Sequence, residues 1–182
     1  MKHLLIFLFF SSTLNAQFTD FEKEHVIFKR VKNSQTFKIK EFNFVITWDE
    51  KLSYSSNLER HYGGIKLLEI CKKDMHITSF NNIEDPTALD EIVIRFYDYN
   101  LDGFIDFAMP ISVGGSTWLR YYIYNPTTKK YLHEKEWDYL RIQKIDKTNK
   151  RILTQPDGGI DNRKLFKIEG SKLIKVKKTN ND

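Results

Sequence analysis

Apolar and polar residues alternate with a period of two along much of this chain, and no long stretch shows the 3.6-residue period of an amphipathic helix. Phe42, Phe44, Ile46 and Trp48 share one face of the run Phe42–Trp48, which predicts a half-buried strand. Thr36–Lys40 alternates in the same way. Ile65–Cys71 and Met75–Phe80 flank Lys72-Lys73-Asp74 and predict a hairpin. Glu91–Tyr97 and Phe104–Met109 are β-branched and aromatic runs, and Trp118–Tyr124 is an aromatic strand. After it, Asn125-Pro126-Thr127-Thr128 reads as a turn with proline pre-set at its second position, and Tyr131–Glu136 alternates again. Arg151–Gln155, Arg163–Ile168 and Leu173–Val176 close the chain, punctuated by Asp157-Gly158-Gly159 and Glu169-Gly170-Ser171. Asp49–Gly64 reads as a long polar loop, Asn81–Asp90 with Pro86 as another, and Gln17–Lys32 as a short helix or lead-in strand. About nine or ten short, evenly spaced strands predict one all-β domain, an antiparallel meander arranged as a sandwich, barrel or small propeller.

The first residues carry a different pattern. Lys2 and His3 precede an unbroken apolar run, Leu4–Phe10, and Ser11–Ala16 is small and polar. That is the layout of a secretory signal peptide over residues 1–16, too short to span a bilayer. The expected mature domain is 17–182, exported to the periplasm or the medium, with no membrane span. Removing 1–16 takes away Lys2 and no acid, so the net charge falls from +5 to +4. Export argues against nucleic acid as a partner of this modestly basic chain. The late lysines, among them Lys164, Lys167, Lys172 and Lys175, read instead as protection of an outer strand against edge pairing. Cys71 is the single cysteine, so no intramolecular disulfide can form, and stability must come from the core or a metal.

One segment carries specific chemistry. Asp98-Tyr99-Asn100-Leu101-Asp102-Gly103-Phe104-Ile105-Asp106 has the form D-x-N-x-D-G-x-x-D. Ca²⁺ is a hard cation that takes six to eight oxygen ligands. Asp98, Asn100, Asp102 and Asp106 offer side-chain oxygens, and Phe104 offers its carbonyl while its ring stays free to be apolar. Gly103 permits the sharp turn between them. The plain alternative is a solvated acidic turn. An EF-hand is excluded, because its twelfth position, a bidentate Glu, is Met109 here, and the flanks read as strands. The expectation is a calcium-clamped β-hairpin.

Other chemistry is absent from the pattern. His25, His61, His76 and His133 show no zinc spacing, and there is no nucleophile elbow or phosphate-binding glycine loop. Glu134 and Glu136 bracket Lys135 as solvated strand charges rather than a glycosidase pair. No catalytic residue is expected and the chain is read as a non-enzyme. Trp118, Tyr121, Tyr122, Tyr124, Tyr131, Trp137 and Tyr139 crowd one region, with core packing and an exposed binding face both open to them. If the strand from Phe104 to Ser112 is continuous, the acidic loop and Gly114-Gly115 lie at opposite ends of it. Gly114, Gly115, Ser116 and Trp118 would then form a free, aromatic-tipped rim for a protein partner or a surface glycan.

Residues 91–140 resemble a family of exported calcium-binding β-proteins that includes periplasmic immunity proteins of bacterial type IV killing systems. The resemblance rests on the strand and loop to Asp106, on Gly114-Gly115, on Trp118–Tyr124 and on the Asn125-Pro126-Thr127-Thr128-Lys129 turn. It implies Ca²⁺ at Asp98, Asn100, Asp102, Phe104 and Asp106, and an inhibitor of a lysozyme-like, peptidoglycan-degrading effector. No inhibitory loop is matched residue by residue, so none is carried over.

Overall fold

The computed structural model describes residues 18–81, 91–112, 118–156 and 162–176. The signal-peptide segment, Gly114, Gly115, Ser116 and the Asp157-Gly158-Gly159 turn lie outside the described residues. Within them the chain forms fourteen strands: β1 Thr19–Asp20, β2 Ile27–Val31, β3 Gln35–Ile39, β4 Phe42–Ser55, β5 Arg60–Lys72, β6 Met75–Asn81, β7 Ile92–Tyr97, β8 Asp106–Ser112, β9 Trp118–Asn125, β10 Lys130–His133, β11 Ile142–Asp146, β12 Arg151–Thr154, β13 Leu165–Glu169 and β14 Lys172–Lys175. The helical content is two single 3-10 turns, Phe21–Lys23 and Lys135–Trp137. No helix among the described residues is long and apolar enough to cross a membrane.

The all-β expectation holds, and the strands sort into three open antiparallel sheets. Each is a meander of four consecutive strands: β3–β6, β7–β10 and β11–β14. The N-terminal segment stitches two of them together. β2 pairs with β7 (Ile27↔Phe96) and β1 with β11 (Thr19↔Ile145). Between β1 and β2, Glu24 accepts a hydrogen bond from the Tyr97 hydroxyl at 3.0 Å and pairs with Lys147, tying the middle sheet to the third.

The sheets stack through two cores, with the β7–β10 sheet in the middle. Ile92, Ile94, Phe96, Phe107, Met109, Tyr122 and Tyr124 face Phe42, Phe44, Ile46 and Leu68 of the first sheet. On the opposite face, Tyr97, Ala108, Leu119, Tyr121 and Ile123 meet Ile145, Ile152 and Ile168 of the third sheet and the fully buried Trp137. A sheet covered on both sides needs apolar residues at every position, as in buried parallel sheets. This explains why β9 reads as a near-continuous aromatic run, while β4 in an outer layer alternates. The first core is rich in aromatic contacts: Phe107 stacks on Tyr122 at 4.5 Å, and Phe44 meets Phe96 edge-on at 5.0 Å.

Several expectations are corrected. Asp49–Gly64 is not a loop, because β4 and β5 continue through most of it as a hairpin arm and turn only at residues 56–59. Gly63 belongs to the strand for packing reasons, since a Cβ there would lie 2.4 Å from Trp48 Nε1. β10 stops at His133, and Glu136 sits on the following 3-10 turn, where it accepts the Leu173 N–H at 3.2 Å. β11 follows without having been anticipated. Its terminal Asp146 is fully buried. It accepts from Asn149 N–H and Nδ2 at 3.0 and 2.9 Å and from Arg151 Nη2 at 2.9 Å.

Burial works against charge on Asp146, but the donors on Asn149 and Arg151 outweigh it and hold its pKa below the ordinary carboxylate value. Asp146→Asn is therefore expected to cost about 1.5–3 kcal/mol at neutral pH. A carboxylate lowered by folding contributes stability that is present above its unfolded pKa and lost as pH falls through the folded value. The gap between wild type and Asp146→Asn should accordingly close below about pH 4 in urea titrations. A gap unchanged by pH would show that charge is not what holds this turn.

Candidate metal loop and opposite rim

The Asp98–Asp106 segment joins β7 to β8, and the two strands close the hairpin with Tyr97 opposite Asp106. Its conformation follows from its side chains. Asp98 Oδ1 accepts the Asp102 N–H at 2.9 Å and Oδ2 accepts the Gly103 N–H at 2.8 Å. Asp102 Oδ1 accepts the Phe104 N–H at 2.9 Å, and Asn100 Nδ2 donates to Asp102 Oδ2 at 2.9 Å. Gly103 takes φ +92°, and Leu101 is also left-handed at φ +58°. The Phe104 ring packs on Tyr124 at 5.4 Å, against the first core, so its side chain is structural while its carbonyl belongs to the loop.

Asp106 has a structural duty that the motif did not announce. It is fully buried. Oδ2 accepts the N–H of Tyr99 at 2.8 Å and of Asn100 at 3.4 Å, and Oδ1 accepts the N–H of Tyr124 on β9 at 2.8 Å. One carboxylate thus staples the loop to the neighbouring strand. Burial pushes the Asp106 pKa far up; the Tyr124 N–H opposes this and the charges of Asp102 and Asp98 add to it. Asp98 is also raised, first by burial, against the Gly103 and Asp102 N–H groups.

The electrostatics are unfinished. None of the ion pairs among the described residues reaches Asp98, Asp102 or Asp106. Asn100 is 3% exposed, and its buried Oδ1 has no hydrogen-bond partner. Among the described residues no three His, Cys, Asp or Glu side chains converge as a ligand cluster. The carboxylates are turned to peptide N–H groups in this conformation.

Of the expected rim residues only Trp118 is described. It opens β9, pairs with Ser112 at the end of β8, and is half-buried. Asp106 and Ser112 stand six residues apart on β8, roughly 20 Å at 3.4 Å per residue. The loop and the Trp118 end therefore lie at opposite ends of the middle sheet. Of the other crowded aromatics, Tyr121, Tyr122, Tyr124, Tyr131 and Trp137 are buried, and Tyr139 is exposed. His133 is paired, with Nε2 2.8 Å from Asp138 Oδ2.

No family model, curated protein or solved structure matches this chain. Function must be argued from the residues.

Asp106→Ala is expected to leave buried N–H groups of Tyr99 and Tyr124 unpaired and to cost at least about 3 kcal/mol. The loss should persist in EDTA, because the staple is made to backbone. Chemical denaturation in both buffers measures it, and a cost under about 1 kcal/mol in both would mean the N–H groups find other partners.

Proposed function

We propose that this chain is an exported, non-catalytic binding protein whose middle sheet is clamped at one end by Ca²⁺ and engages a partner at the other. One observation carries the calcium reading: the buried, unpartnered Asn100 Oδ1 stands in a loop whose three carboxylates form no ion pair among the described residues. An unpaired buried acceptor costs about 1–3 kcal/mol. A hard cation would remove that cost and relieve the mutual repulsion of the acids. The donor set fits it: side-chain oxygens of Asp98, Asn100, Asp102 and Asp106 and the carbonyl of Phe104, without nitrogen or sulfur.

The raised pKa values of Asp98 and Asp106 point the same way. A carboxyl raised by folding favours its protonated form. Its contribution is present below the unfolded pKa and lost as pH rises through the folded value. Without a cation the loop is thus at its worst at neutral pH. Ca²⁺ supplies the missing charge and should bind more weakly as pH falls, since it needs the deprotonated ligands.

The leading segment 1–16 supports export, and the resemblance of residues 91–140 supports a lysozyme-like, wall-degrading enzyme as the protein partner. The other reading is a surface glycan, and the aromatic and polar lining beside Trp118 favours it. In either case Trp118, with Gly114, Gly115 and Ser116, is the proposed contact.

Calorimetry on the EDTA-stripped protein should find one Ca²⁺ site with Kd between about 10⁻⁶ and 10⁻³ M. At a hundredfold excess over Kd the ion adds about 2.7 kcal/mol of stability. Asp102→Ala should melt lower than wild type in calcium and lose the calcium dependence. Absence of calcium heat, or a variant melting like wild type in both calcium and EDTA, would sink the clamp.

A further inference from the structure

At the Trp118 end of β9 a cleft of about 250 Å³ opens between Trp118, the segment Tyr139–Arg141, and the ends of β12 and β13. Its walls are fixed by reciprocal hydrogen bonds. Thr154 N–H donates to the Lys164 carbonyl at 3.0 Å, and Lys164 N–H donates to Thr154 Oγ1 at 2.9 Å. Gln155 N–H donates to the Arg141 carbonyl at 2.7 Å, while Arg141 Nε and Nη2 donate to Gln155 Oε1 at 2.9 and 2.6 Å. The Arg141 guanidinium stands 5.5 Å from the Trp118 ring centroid. The Tyr139 ring meets Trp118 at 6.1 Å, with the planes 62° apart. Two angled aromatic surfaces therefore stand beside a rigid set of planar polar groups, and rigid sites lose little entropy on binding.

Two observations say what this is for. Tyr139 is 57% exposed although its backbone is left-handed at φ +65°, pinned by its N–H to the Leu119 carbonyl at 2.9 Å. A non-glycine residue pays about 1–2 kcal/mol for that conformation, and here it holds a ring in water rather than in a core. Among the described residues the lining includes Arg141 and Lys164 and no Asp or Glu, and the Lys164 ammonium makes no ion pair.

We propose that this cleft binds one carboxylated sugar ring of an acidic glycan, its apolar face against Trp118 and Tyr139 and its carboxylate toward Lys164. The volume is below the range of about 300–1,000 Å³ that holds drug-sized ligands, so a single ring is the fitting unit. A pyranose presents C–H groups on a face and hydroxyls at its edge, which matches aromatic walls beside Gln155 and Arg141. A free phosphate would leave the rings unused, and an aliphatic chain would leave the Lys164 ammonium unpaired. The inference deepens the reading of this rim as the binding end and is independent of calcium at the Asp98–Asp106 loop.

The test titrates the full-length, calcium-saturated chain with trimers of galacturonate, glucuronate and mannuronate and with the corresponding neutral hexose trimers. Trp48 and Trp137 are buried away from the ligand, so a ligand-induced change in tryptophan fluorescence reports mainly Trp118. Saturable quenching by at least one uronate is expected below about 10 mM, and about tenfold weaker for its neutral counterpart. Trp118→Ala should weaken binding at least about tenfold, followed calorimetrically, and Lys164→Gln about fivefold with loss of salt sensitivity. Tyr139→Gly separates function from folding: glycine suits the backbone, so its melting temperature should hold or rise while affinity drops about fivefold or more. No saturable response to any uronate, an equal response to the neutral trimers, or a Tyr139→Gly chain that binds like wild type would overturn the proposal. Calcium heat is measured separately, so failure of the clamp leaves this test intact.

Discussion

Burial of both faces of the β7–β10 sheet is the constraint on which the molecule depends. Once Phe107 faces one core and Ala108 the other, neither face can meet solvent or a partner. Only the strand ends remain available. That is why the chemistry of this chain concentrates in the connection from β7 to β8 at one end, and around the start of β9 at the other. It also makes single-sheet rearrangements costly, because a one-residue slip of β9 would exchange Tyr121 for Tyr122 between two differently shaped cores.

The same constraint gives Asp106 its importance. The hairpin loop is polar and lies against a dry interior, so its peptide groups need internal acceptors. A carboxylate is the compact group that can serve several donors at once, and Asp106 serves N–H groups from the loop and from β9. Such a buried charge is tolerable only where a cation or a proton completes it. The third sheet solves a related problem with a cation of its own, since Asp146 caps its own turn and has the Arg151 guanidinium beside it. The contrast is internal to one chain: two buried aspartates at strand ends, one with a covalently encoded cation and one without.

How far the sequence disclosed this depended on whether a local signal existed. The strands of the outer layers follow from alternation, and the aromatic run of β9 was readable as a strand. Its burial on both faces was not, because nothing local says that a third layer covers Tyr121. The β4–β5 arm was misread because its outer residues are serine, lysine and glutamate, and Gly63 looked like a turn when it was making room for Trp48. β11 was missed because Arg141, Gln143 and Lys144 interrupt a short apolar pattern that only tertiary packing completes. The acidic loop was fully visible as a motif, and its role as hairpin connector follows from its flanks. The backbone staple made by Asp106 depends on Tyr124, eighteen residues away, and no spacing rule carries it.

Backbone strain distinguishes the two ends from the rest. Among the described residues, left-handed non-glycine positions occur at Lys40, Glu59, Lys73, Asp74, Lys129 and Lys150, each in a tight turn between consecutive strands. There the twist of the hairpin demands the conformation, and short polar connections tolerate it. Leu101 and Tyr139 are different. Each is a bulky residue, neither sits in a short hairpin turn, and each lies in one of the two regions proposed to bind. Strain of this kind persists only where surrounding structure over-determines it. At Leu101 the determinant is the set of carboxylate bonds around the loop and its packing on the second core. At Tyr139 it is the Leu119 carbonyl on one side and the carbonyl of Leu140 held by the Tyr121 hydroxyl on the other. A fold selected for stability alone would place glycine or asparagine at both positions. Leucine and tyrosine there suit the two roles proposed for these ends, one toward a cation and one toward a sugar ring.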